Sequence, residues 1–254
     1  MPTSQFTLKL LTGGVKARVN INNMQAHRQA EGPTKSTKTD LNAFIIEGKN
    51  VVDVFVGPGA VSSGANLDLK IVRADGEGKA AKETKLASFR WEPGKTEMHP
   101  QVPTKVWCGE FKVDKAFGRW SWQDAPNTPP TAADQKAIVV LVEQLHKALT
   151  DKNVDAAVAL MRVKIDEMGR AFGLSADEMT TAQKENLQAA FSAKSWSVAP
   201  LIAEGMQLVP VADGRVYVVT DAPGKPPIKA TVDKQPILFP ISVTRADGAW
   251  VIVR

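Results

Sequence analysis

A chain of 254 residues, 43% hydrophobic and 23% charged, carries enough apolar surface for one large core or two ordinary ones, which excludes a disordered or fibrous protein. The net charge of +5 arises in residues 1–130, with 18 Lys and Arg against 13 Asp and Glu, while residues 131–254 hold 14 of each. Those lysines are too scattered for the basic stripe of a nucleic-acid binder, and a lone Cys108 excludes an intrachain disulfide.

The N-terminus lacks a basic start followed by an apolar core, and no window approaches the roughly 18 apolar residues of a membrane span. The expected location is cytoplasmic, or periplasmic if a leader has been removed. The Lys79, Lys82 and Lys85 cluster, interleaved with Glu77 and Glu83, reads as a solvated loop.

Residues 1–124 read as an all-β sandwich domain. Short alternating runs separated by Gly, Pro, Asn and Asp predict strands at 6–11, 17–22, 42–46, 50–56, 67–74, 85–91 and 106–122, the last broken at 114–117. Asp53 interrupts the apolar strand at 51–56 and shares a face with Val51 and Phe55, so it lies either at a sheet edge or in a hydrogen bond. The words Val19-Asn-Ile-Asn-Asn23 and Leu41-Asn-Ala-Phe-Ile-Ile-Glu-Gly-Lys-Asn-Val-Val-Asp-Val-Phe-Val56 resemble the jelly-roll sandwiches related to galactose-binding domains. The resemblance covers about forty residues. It implies a tight turn in which Gly48 adopts positive φ and Asn50 bonds its own backbone, and it implies fold without sugar binding.

Gly57-Pro-Gly-Ala-Val-Ser-Ser-Gly64 lacks the Lys and the following helix of a phosphate loop and reads as a long loop whose small residues leave backbone open to a partner. Trp91, Trp107, Trp120 and Trp122 gather late in this domain. As a ligand platform they would suit carbohydrate, but core or interdomain packing is the favoured reading, and Cys108 reads as a small apolar residue.

The run 125–131, with three prolines, is expected to be a stiff linker. Beyond it, residues 132–254 read as an α+β domain. Thr131 and Asp134 form a capping box before an amphipathic helix carrying Ile138, Leu141, Val142, Leu145 and Leu149. Further helices are expected over 154–161, 164–172 and 176–191, then strands at 206–211, 215–220, 228–232, 237–245 and 250–253. That order, and the closing Arg245-Ala-Asp-Gly-Ala-Trp-Val-Ile-Val-Arg254, resembles the nuclear-transport-factor-2-like, or cystatin-like cone, superfamily. The resemblance implies helices followed by a curved antiparallel sheet around a pocket, in a family holding isomerases, dehydratases and noncatalytic binding domains.

No catalytic, cofactor-binding or metal-binding residue is assigned. His27, His99 and His146 lie in separate segments without ligand spacing. Tyr217 suits either a pocket or a sheet face, and Glu143, His146, Asp166 and Glu167 read as surface polar groups rather than as an acid–base set. The expected function is a noncatalytic interaction protein of bacterial immunity or secretion-accessory character. The alternatives are a cone-superfamily enzyme acting on a small apolar molecule, which fails if Phe172, Phe191, Trp196 and Phe239 fill its interior, and carbohydrate binding by the sandwich. The expected partner is another protein, without cofactor, nucleic acid or membrane, and self-association is left open. The candidate partner-binding residues are Gly57, Gly59, Ser62, Ser63, Trp91, Trp107, Trp120 and Trp122.

Overall fold

A computed structural model of the chain describes residues 4–57, 64–76, 82–94, 96–99, 101–222 and 224–254. These fall into two compact units, Met1–Arg119 and Trp120–Arg254.

Alternation governs the first unit. Its strands are β1 (Gln5–Gly13), β2 (Ala17–Ile21), β3 (Met24–Gln29), β4 (Lys35–Asp40), β5 (Gly48–Val56), β6 (Asn66–Asp75), β7 (Lys82–Trp91) and β8 (Thr104–Val113). All pair antiparallel, in two four-stranded sheets of order β4-β1-β6-β7 and β3-β2-β5-β8. Every second side chain turns inward: Phe6, Leu8 and Leu10 of β1 and Leu67, Leu69 and Ile71 of β6 meet Val19 and Ile21 of β2 and Val52, Val54 and Val56 of β5 in one core. Burying each such side chain contributes about 1.5–3 kcal/mol. His27 Nδ1 and Thr39 Oγ1, 2.8 Å apart, tie β3 to β4. Between β7 and β8, Phe89 stacks on Trp107 with centroids 4.9 Å apart.

One turn fixes the register of β5. Gly48 has φ 86°, and the fully buried Asn50 closes the turn on itself. Its Oδ1 accepts from Ile46 N–H and Asn22 Nδ2, both at 2.9 Å, while its Nδ2 donates to the carbonyls of Ile46 and Gly48 at 2.8 and 3.2 Å. Asn22 Oδ1 in turn accepts from Val51 N–H.

Three strand boundaries differ from expectation. Residues Asn42–Phe44 form a 3-10 turn in place of the expected strand, because the buried Asn42 side chain accepts from Phe6 N–H and caps the sheet. β8 ends at Val113 instead of continuing to Trp122. The polar β3 and β4 carry too little alternation to have been expected, and both lie at sheet edges.

The second unit opens with four helices, α1 (Ala132–Thr150), α2 (Val154–Leu160), α3 (Arg162–Phe172) and α4 (Ala176–Ser192). Thr131 with Asp134, and Ser175 with Glu178, form complete capping boxes on α1 and α4. Gly173, at φ 73°, terminates α3. Strands β9 (Ser197–Val198), β10 (Gln207–Val211), β11 (Val216–Thr220), β12 (Ile228–Val232), β13 (Gln235–Phe239), β14 (Ile241–Ala246) and β15 (Ala249–Ile252) follow. They form sheets of order β10-β11-β14-β15 and β13-β12-β9. The run expected as one strand over 237–245 is therefore two, separated at Pro240 and placed in different sheets.

Ile138, Val142, Leu145 and Leu149 of α1 pack in a core with Val219, Ile241, Val243 and Ile252. Asp134 ties the helix start to the closing hairpin: it accepts from Thr131 N–H and Oγ1 at 2.8 Å, from Trp250 Nε1 at 2.9 Å, and from Arg245.

The segment ahead of α1 belongs to this unit. Trp120 and Trp122, 1% and 5% exposed, flank the start of a 3-10 turn at Ser121–Asp124. The guanidinium carbons of Arg170 and Arg254 lie 5.2 and 5.7 Å from the Trp120 ring, and Ser121 N–H donates to Glu167 Oε1 at 2.6 Å. Farther along, Arg215 Nε donates to the Ala125 carbonyl at 3.2 Å and Tyr217 Oη to that of Thr128 at 3.4 Å. The compact units part at Arg119 and Trp120, and within the expected stiff linker at 125–131 the Ala125 and Thr128 carbonyls are bonded to the second unit.

Candidate functional site

The outer face of the β3-β2-β5-β8 sheet carries the most distinctive surface chemistry of the first unit. Inward Ala17, Val19 and Ile21 leave Arg18 and Asn20 outside, and inward Val52, Val54 and Val56 leave Val51, Asp53 and Phe55 outside. Register then sets Arg28 opposite Arg18, Arg18 opposite Phe55, and Phe55 opposite Lys105, a single row across all four strands.

Within that row the Arg18 guanidinium lies 4.1 Å from the Phe55 ring centroid, and Lys105 Nζ lies 5.5 Å from it. Lys105 also pairs with Asp53 Oδ1 at 2.9 Å. Asp53 is buried on a central strand rather than at a sheet edge, and its carboxylate is balanced by the Lys105 ammonium. Burial and then the neighbouring Arg28 charge hold the Arg18 pKa below its usual value, partly offset by Asp53. Arg18 Nε is buried with no hydrogen-bond partner among the described residues.

The row borders a groove of about 510 Å³, lined by the polar Lys16, Arg18, Arg28, Gln25 and Gln29 together with Phe55, Ala30 and Pro103. Its described lining holds no carboxylate, histidine or cysteine. Such a site can attract and orient an anion. Cys108 pairs with Asp53 across strands, and its thiol is pushed up first by a hydrogen bond with that carboxylate, so it is a poor nucleophile.

Of the candidate residues read from sequence, Gly57 lines this groove. Its N–H donates to the Lys16 carbonyl at 2.8 Å, and a Cβ there would stand 2.6 Å from Lys16 Cβ, so glycine permits the close approach. Gly59, Ser62 and Ser63 lie outside the described residues. Trp91 is buried in the first core and Trp107 is occupied by its stack on Phe89. Trp120 and Trp122 are buried in the second unit. The four tryptophans are thus divided between two units, and the three buried ones present no open ring face. Arg18, Arg28, Lys16 and Phe55 were missed. Their alternation was visible, but the register that aligns them was not.

Several polar groups of the second unit are engaged structurally, and Glu167, expected at the surface, is buried. Arg162 pairs with Asp166, His146 Nε2 lies 2.8 Å from the Ala199 carbonyl, and Glu167 is buried beneath Ser121. Tyr217 borders a hollow of about 360 Å³ lined by Asn127, Pro129, Pro130, Leu208 and Pro210, and desolvation raises its phenol pKa. Among the described residues no cluster of His, Cys, Asp and Glu could hold a metal ion, and no helix is long and apolar enough to cross a membrane.

No family model matches the chain, and no curated protein matches it in sequence. A weak similarity links it to the solved structure of a cystatin-like protein from Ruminococcus gnavus ATCC 29149. The alignment, at 13% identity and a TM-score of 0.19, covers 81% of this chain and 57% of that one.

Proposed function

We propose that the protein is a noncatalytic binding protein that engages an acidic protein partner through the basic groove of its first unit. One observation carries this reading: the cross-strand row Arg28, Arg18, Phe55 and Lys105 beside a groove whose described charged residues are all basic. Cationic faces of this kind accelerate encounter with acidic partners and fix their orientation. We read the first unit as a jelly-roll sandwich of galactose-binding type, supported by the Gly48 and Asn50 turn. The second we read as a nuclear-transport-factor-2-like cone, supported by helices preceding antiparallel strands.

The packing of the second unit favours binding over catalysis. Phe191, Trp196 and Phe239 contact one another edge to face, with centroids 5.0 and 6.4 Å apart, and belong to or pack against the core, while Phe172 is exposed.

Affinity capture at native abundance, comparing the wild-type chain with an R18E/R28E chain of matching circular dichroism, tests the reading. A stoichiometric acidic partner recovered by the wild type and lost by the variant is expected. Recovery of no such partner, or equal recovery by both chains, overturns it.

A further inference from the structure

Resting on that reading of the groove, we propose that its occupant is an extended acidic segment of the partner, in which carboxylates alternate with aliphatic side chains. The Arg18 fork takes one carboxylate beside Arg28, and the aliphatic stems lie along Ala30 and Pro103.

Four features point to a peptide. The first is unmatched positive charge. Lys105 has Asp53, whereas Arg18 Nε has no hydrogen-bond partner among the described residues, and Lys16 and Arg28 face the same groove. The second is geometry. The Arg18 guanidinium lies over the Phe55 ring, 4.1 Å from its centroid, and a planar fork held there matches a carboxylate through two parallel hydrogen bonds. The third is a carboxamide. Gln25 presents a donor and an acceptor, which suits the alternating N–H and C=O of a peptide backbone, while Gln29 Nε2 already donates to the Ala30 carbonyl at 3.2 Å; a bare oxyanion has no use for the acceptor. The fourth is size, since about 510 Å³ suits a drug-sized ligand or a short peptide segment. A single-stranded nucleic acid fits less well, because base stacking needs an open aromatic face and Arg18 already covers Phe55.

Isothermal titration of the full chain with the peptide Ac-Glu-Leu-Glu-Leu-Glu-NH2 tests this, beside its all-Gln analogue and inorganic phosphate. The Glu peptide should bind, with affinity falling as salt rises, and the Gln peptide should not. R18Q should weaken binding roughly 10- to 100-fold, the scale of a lost charge-assisted contact, while R18K should recover only part because it keeps charge without the fork. K184Q, in the second unit, should leave binding unchanged. Thermal melting of each variant verifies that the first unit is folded. Equal binding of the Gln peptide, unaltered binding by R18Q, or displacement of the peptide by equimolar phosphate would each overturn the assignment. A chain that captures an acidic partner through Arg18 and Arg28 yet ignores the peptide overturns this occupant alone. Failure of both experiments removes the broader reading as well.

Discussion

Asn50 satisfies four hydrogen bonds with two side-chain atoms, all in a site without solvent access. Asn50→Ala strips partners from Ile46 and Asn22 at once, and leaving buried groups unpaired costs about 2–3 kcal/mol. Urea denaturation should show that loss in the transition of the first unit, with the second unchanged; loss below 0.5 kcal/mol, the usual scale of a surface change, would mean the turn stands without its side chain. This turn was readable because Gly48 and Asn50 are neighbours and their chemistry is local. Arg18 and Phe55 lie 37 residues apart in number, and only the β2–β5 pairing, which no local pattern specifies, sets one upon the other.

Among elements, α1 shows how a cap becomes a tertiary contact. Asp134 carries the capping bonds of Thr131 and also accepts from Trp250 and Arg245, and hydrogen bonding, first from Trp250 and then from Thr131, holds its carboxyl well below the usual range. A carboxyl whose folded pKa is depressed contributes stability that is complete above its unfolded value, near 3.9, and is lost as pH falls below it. Asp134→Asn should therefore lower the melting temperature of the second unit at neutral pH, and the gap to wild type should shrink between about pH 4 and pH 2. A gap that stays constant with pH would mean that the Asp134 charge is irrelevant to folding.

The helices were legible because their caps and apolar spacing lie within one segment. β3 and β4 were not, since an edge strand needs only one partner and can be polar throughout. The lysines of β4 also discourage a further strand from adding there.

At the scale of the molecule, the division falls just before Trp120, and this assigns two large buried aromatic side chains to the second unit. Removing one buried Trp typically costs about 3–5 kcal/mol. A fragment starting at Trp120 should melt cooperatively, whereas one starting at Ala132 should melt far lower or fail to fold. Equal melting of the two would show that residues 120–131 are dispensable. The same partition concentrates charge: Met1–Arg119 holds 18 Lys and Arg against 12 Asp and Glu, so the basic groove lies on the more basic unit. Composition disclosed that bias. Proline content suggested a break, while the attachment of that run to the second unit, with Pro129 and Pro130 lining a hollow and Ala125 and Thr128 hydrogen-bonded, needed the fold.

The bond between Asp134 and Arg245 spans 111 residues, and that separation has a temporal meaning during synthesis. At about 5–20 residues per second, α1 leaves the ribosome roughly 6–20 s before the hairpin that anchors it. Throughout that interval Thr131 is the only one of these partners already made, so of the four bonds to Asp134 only the two of the N-cap can form before the closing hairpin arrives.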